Sequence, residues 1–136
     1  MTATLAEHPR GAEVAEILRA AVAAADPYAA VSRYLRLEGD HLVAGTGLYD
    51  LRQVDRVLVL AVGKAAVPMA RAALSVLGDR AAGGLVVTKA ADDQPVPSAG
   101  GLAVVSAAHP LPDERSVHAG ERAVALLEAA GERDLV

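Results

Sequence analysis

The sequence contains no cysteine, no tryptophan and no phenylalanine, and only three tyrosines. The missing cysteine excludes disulfides, thiolate metal sites and a cysteine nucleophile together. With 53% apolar residues and only 2% aromatics, the core has to be built from Ala, Val and Leu. Long apolar runs are missing too. The longest, Val57 to Val62 and Leu102 to Ala108, fall far short of the roughly 20 residues that span a bilayer. No excess of positive charge is present either: the formal net charge is -4, so there is no footprint for nucleic acid or an anionic membrane, and any phosphate site must be local. Residues 1–13 carry Glu7, His8, Pro9 and Arg10 without a run of signal-peptide length, and read as a flexible lead-in.

What is present is periodic, and 136 residues suit one domain. Val14, Ile17, Leu18, Ala21, Val22 and Ala25 share one helical face. Asp26-Pro27 is an N-cap followed by a favourable first helical residue, so a second, short helix is expected to form a hairpin with the first. Between Leu35 and Gly47 the pattern predicts a small ribbon turning at Gly39-Asp40. Arg56 to Val62 is apolar almost throughout, as in a parallel strand covered on both faces. A helix through Ala66, Met69, Ala70, Ala73, Leu74 and Leu77 follows at once, with Pro68 in its first turn and Gly78 closing it. Gly84 to Thr88 and Leu102 to Ser106 read as further buried strands, separated by a Pro- and Gly-containing loop, Ala90 to Gly101. A helix presenting Val117, Gly120, Val124 and Leu127 comes next, and Asp134-Leu135-Val136 opens another strand. This alternation predicts an α/β fold with a doubly wound, mostly parallel, Rossmann-like sheet flanked by helices and incomplete at the C-terminus.

Gly63-Lys64 falls at the carboxyl end of a parallel strand, where open α/β sheets place ligands. Helix N-H groups and a nearby ammonium suit a phosphate there, although a turn glycine followed by a surface lysine fits the same letters. It is no P-loop, because Leu58 stands where the first glycine belongs and Ala65 where Ser or Thr holds magnesium. Gly45-Thr46-Gly47 fails as a dinucleotide fingerprint, since Asp50 occupies the third glycine position. Gly83-Gly84 and Gly100-Gly101 each lead into a strand and receive no chemical role. In the loop His109-Pro110-Leu111-Pro112-Asp113-Glu114, two prolines fix the backbone. His109 can donate to a substrate oxygen, and Asp113 can serve either as a site carboxylate or as a helix cap. His8, His41, His109 and His118 show no metal-binding spacing, so no metal ligand is assigned.

Taken together, AVGKAAVPMARAAL (Ala61 to Leu74), GGLVVTK (Gly83 to Lys89) and AAHPLPDERSVHAGERAVALL (Ala107 to Leu127) resemble the N-terminal domain, DUF4147, of the glycerate 2-kinase family. The resemblance runs from residue 14 to 136. It implies transfer of the γ-phosphoryl group of ATP, with Mg2+ or another divalent cation, to the 2-hydroxyl of glycerate. It also implies a cytoplasmic enzyme without membrane or nucleic-acid partners. By the same resemblance Lys64 is the catalytic lysine of Gly-Lys-Ala, while Gly63, His109 and Asp113 are candidates for binding substrate or phosphate. In that family the strand begun by Asp134-Leu135-Val136 runs into a Ser-Gly-Gly-Gly-Ser phosphate loop, and a second domain, MOFRL, forms the other wall. Neither is in this sequence, so the expectation is an inactive N-terminal fragment that associates with a chain carrying the rest. Two alternatives stand beside it. One is an NAD(P)-dependent hydroxypyruvate reductase, a label family members have carried, although GxGxxG is missing. The other is a noncatalytic domain binding a phosphorylated metabolite.

Overall fold

The computed structural model describes residue 4, residues 7–89 and residues 101–136. Helix α1 (Gly11–Ala24) is followed by α2 (Pro27–Tyr34), whose N-terminus is capped as expected, Asp26 Oδ1 accepting from Ala29 N at 2.7 Å. The chain then makes an antiparallel meander of β1 (Leu35–Glu38), β2 (His41–Ala44) and β3 (Gly47–Asp50). The sequence pattern had given the first turn of this ribbon; β3 extends it by a strand. Next come β4 (Arg56–Val62), α3 (Ala66–Leu77), β5 (Ala81–Lys89), β6 (Leu102–Ala107), α4 (Glu114–Glu128) and the short β7 (Asp134–Leu135). The loop expected between β5 and β6 lies, apart from Gly101, outside the described residues, as do residues 1–3, 5 and 6 of the lead-in.

β4 to β7 form one parallel sheet in the order β6-β5-β4-β7. The chain therefore steps outward from β4 through β5 to β6, then returns across the sheet to place β7 on the other side of β4. This is the doubly wound arrangement that the alternating elements predict. The apolar strand residues are covered from both faces. On one, Val86 packs with Ala66, Val67 and Ala70 of α3; on the other, Leu85 and Val87 pack with Ala119 of α4. A third cluster, Leu42, Leu51, Val57, Leu74, Leu77 and Ala81, seats the meander against the start of the sheet. β4 and β5 lie so close at Val59 and Gly84 that a Cβ on Gly84 would run into the Val59 carbonyl, and Gly84 has φ +154°. Gly84 is thus a packing requirement inside β5. At the other edge Asp134, its side chain only 4% exposed, accepts from Arg56 Nε at 3.1 Å and from Gly131 N at 2.8 Å, which holds β7 in register with β4.

Two expectations need correction. α2 packs on α3, with Tyr28 Oη 3.1 Å from Ser75 Oγ, and not on α1. The apolar face of α1 is left exposed at Ile17, Leu18 and Val22, because α2 needs a partner for its own short apolar face and the sheet layer supplies α3. On α4, the predicted face of Val117, Gly120, Val124 and Leu127 points to solvent, while Ala119, Ala123 and Leu126 meet the sheet. Small residues let the helix approach the strands closely, so the bulkier stripe is turned outward.

Candidate functional site

In an open parallel sheet a crevice forms at the carboxyl ends of strands where the direction of strand order reverses. Here that point lies between β4 and β7. β4 ends at Val62, and Gly63 makes the turn into α3 with φ +112°, a conformation that favours glycine. Its N-H donates to Val87 O at 2.9 Å and its carbonyl accepts from Ala66 N at 3.1 Å, so the turn is pinned to both β5 and the first turn of α3. No side chain caps α3, whose N-cap residue is Ala65. The result is a helix N-terminus, with its positive dipole end, beside an exposed Lys64.

Lys64 does not stand alone. A groove of about 110 Å3 runs over the carboxyl ends of β4, β5 and β6, lined by Val62, Gly63, Lys64, Val87, Thr88 and Lys89, and closed beyond β6 by Ala107, Ala108 and His109. Three of the residues singled out from the sequence, Gly63, Lys64 and His109, are therefore brought together. The loop bearing His109 is tied to α4 by Ala108 N donating to Ser116 Oγ at 3.2 Å, and the His109-Pro110 peptide is cis.

Asp113 is not among the groove-lining residues. It is the N-cap of α4, accepting from Arg115 N at 2.9 Å and pairing with the Arg115 guanidinium at 2.8 Å. Those hydrogen bonds, the guanidinium's first, hold its carboxyl below the usual carboxylate range. Its geometry is that of a cap. Lys89, by contrast, lines the groove although the sequence reading passed over it. The signal was available: Lys89 ends an apolar strand, as Lys64 closely follows one.

Among the described residues the lining is cationic and apolar, with no carboxylate. It suits an oxyanion. It does not suit a hard divalent cation, which needs oxygen ligands, and among the described residues no group of three or more His, Asp and Glu could hold a metal. Its volume is also small for a nucleoside, since pockets for ligands of that size run to several hundred Å3.

Residues 13–136 match the family model described as a domain of unknown function, DUF4147. The chain belongs to the DUF4147 family. Among curated relatives, it is 34% identical over 116 residues to a glycerate 2-kinase of Pyrococcus horikoshii, covering 85% of this chain and 25% of the relative. It is 39% identical over 84 residues to a D-glycerate 2-kinase of Thermotoga maritima, covering 61% of this chain and 19% of the relative. A third relative, from Agrobacterium vitis, is 35% identical over 120 residues, covers 88% of this chain and 24% of its own length, and bears the name "Putative hydroxypyruvate reductase". The DUF4147 chain thus spans about a quarter of the length of the curated relatives it matches. A crystal structure of a P. horikoshii protein superposes on 98% of it and on 28% of that longer chain, with a TM-score of 0.74 and 30% identity. The T. maritima glycerate kinase structure superposes on 61% of it, with a TM-score of 0.52.

Proposed function

We propose that these residues form one wall of a glycerate 2-kinase active site, in which Lys64 neutralises charge on the phosphoryl group passing from ATP to the 2-hydroxyl of glycerate. The observation that carries this reading is the placement of Lys64 and the uncapped N-terminus of α3 together at the carboxyl end of β4, beside the groove that β4, β5 and β6 share. In such a transfer a bond forms between the hydroxyl oxygen and the γ-phosphorus while the bond to ADP breaks, and charge gathers on the phosphoryl oxygens. A fixed ammonium and helix N-H groups oppose that charge without reorganising at the moment of reaction. His109, held over the same groove, donates a hydrogen bond to a substrate oxygen.

Such chemistry also uses a divalent cation, which would neutralise charge on the phosphates. The described residues lining the groove offer it no carboxylate. The nucleoside and the metal ligands belong to residues outside this groove, and with cations on one side only, the 136-residue chain by itself does not turn over. The relatives named after hydroxypyruvate reductase keep a hydride-transfer reading in view, but Gly63 is the single glycine of the β4–α3 turn, where a dinucleotide fingerprint needs three.

The test joins this chain to the C-terminal remainder of the T. maritima relative. ATP-dependent formation of phosphoglycerate and NAD(P)H-dependent reduction of hydroxypyruvate are then assayed side by side. The kinase activity is expected, the reductase activity is not. Lys64→Ala should lower turnover roughly a hundredfold, about 3 kcal/mol of transition-state stabilisation, while an exposed turn lysine alters stability by about 0.5 kcal/mol at most. Near-normal turnover in Lys64→Ala, or reductase activity without kinase activity, overturns the proposal.

A further inference from the structure

The chain has eleven arginines but only two lysines, Lys64 and Lys89, and both line the same groove. Seven of the arginines are engaged with carboxylates. Among the described residues neither lysine has a carboxylate within ion-pair distance. Among the described residues, two cations thus stand at one end of the sheet without a carboxylate partner.

The register explains why they meet. Val62 is level with Val87, and Val87 with Val105. Lys64 follows two residues after Val62, and Lys89 two residues after Val87, level with Ala107. Lys64 lies in the turn that follows β4 and Lys89 ends the neighbouring β5, with strands about 4.8 Å apart, so two flexible ammonium stems start from the rim of one groove and can reach the two ends of one small molecule.

Their surroundings differ, and the difference assigns them different anions. Lys64 adjoins the N-terminus of α3, whose N-H groups and dipole favour a multiply charged phosphoryl group. Lys89 is one strand further from that helix end, over a floor of Val87, Ala107 and Ala108. An apolar floor with a single point charge suits a short carbon skeleton ending in one carboxylate. We infer that Lys89 is the anchor for the carboxylate of the acceptor acid, and so a residue that decides in favour of short 2-hydroxy acids over neutral polyols. This rests on the kinase reading above, with His109 and Lys64 then facing the hydroxyl that accepts the phosphoryl group.

Two lysines make the test direct. Reductive methylation with 13C-formaldehyde keeps their charge and leaves two side-chain signals and the amino terminus, which Lys64→Arg and Lys89→Arg variants assign. The labelled chain is titrated with D-glycerate, with glycerol, with inorganic phosphate and with potassium chloride at matched ionic strength. The expected result is a saturable shift of the Lys89 signal with glycerate, none with glycerol or chloride beyond bulk screening, and a phosphate response centred on Lys64. A glycerate response at Lys64 alone, with Lys89 behaving as in chloride, overturns the inference and leaves the kinase reading standing. No response of either lysine to glycerate or phosphate beyond that of chloride overturns both. In the joined enzyme, Lys89→Gln should raise KM for glycerate on the order of tenfold, equivalent to 1.4 kcal/mol, with kcat changed far less. An unchanged KM overturns the anchor.

Discussion

Alanine at Gly84 and at Gly120 should change the stability of this protein in opposite directions, and the structure sets both magnitudes. At Gly84 the added methyl meets the Val59 backbone of β4, and φ +154° is strained for any residue with a Cβ. A side chain forced into such a conformation costs about 1–3 kcal/mol, and overpacking that moves backbone costs about the same again. Alanine's stiffer unfolded chain returns only about 0.4–1 kcal/mol. The net loss is about 1–6 kcal/mol, a sizeable part of the 5–15 kcal/mol that typically holds a domain together. Gly120 is the counterpart. It lies exposed inside α4 with nothing within 4 Å of the added carbon, so alanine there should stabilise by about 0.5–1 kcal/mol through helix propensity alone. Since the chain has no tryptophan, urea unfolding followed by far-ultraviolet circular dichroism is the suitable assay, with the m-value checked for constancy. The reasoning is refuted if Gly84→Ala unfolds within about 0.5 kcal/mol of the parent. A loss of stability in Gly120→Ala would equally count against the solvent-facing placement of that side of α4.

The same placement of α4 predicts that Val124→Ala, at a position 53% exposed, shifts stability by about 0.5 kcal/mol at most. Ala119→Leu, at 2% exposure against Leu85 and Val87, should cost about 1–3 kcal/mol; a reversed order in the same urea assay would return the helix to the face that periodicity suggests. Asp134 supplies a pH signature. Hydrogen bonds from Arg56 and then from Gly131 hold its carboxyl below the usual carboxylate range, so its contribution is complete above the unfolded-state value of about 3.9 and disappears as pH falls through the lower folded-state value. Asp134→Asn should therefore be less stable than the parent at neutral pH, with the gap closing as the solution is acidified below about pH 4. A gap that stays constant from pH 7 to pH 3 would mean that the Arg56 pair does not hold β7 in place.

Elements whose local chemistry is unambiguous were legible in the sequence. β4 was legible to the residue because a strand buried on both faces has to be apolar throughout. α3 was legible because its periodicity, Pro68 and Gly78 agree, and the Gly78 C-cap has φ 52°. Gly63 and Lys64 could be placed at a strand end for the same reason. Where the reading failed, the local signal was ambiguous about partners. α4 carries apolar residues around more than half its circumference, so periodicity marks two candidate faces, and it chose the bulkier. Gly84 reads as an ordinary glycine before a strand, since nothing in neighbouring letters reports how near β4 will come.

The sequence by itself determined the kinds of element, their order, their caps and the family signatures, because these depend on contacts among residues a few positions apart. Tertiary structure alone decided which strands are neighbours, and with that the site. Lys64, Lys89 and His109 are 25 and 20 positions apart in turn, and only the parallel register of β4, β5 and β6 brings their strand ends level over one groove. Register arises from burial on both sheet faces at once, a condition that no single segment contains.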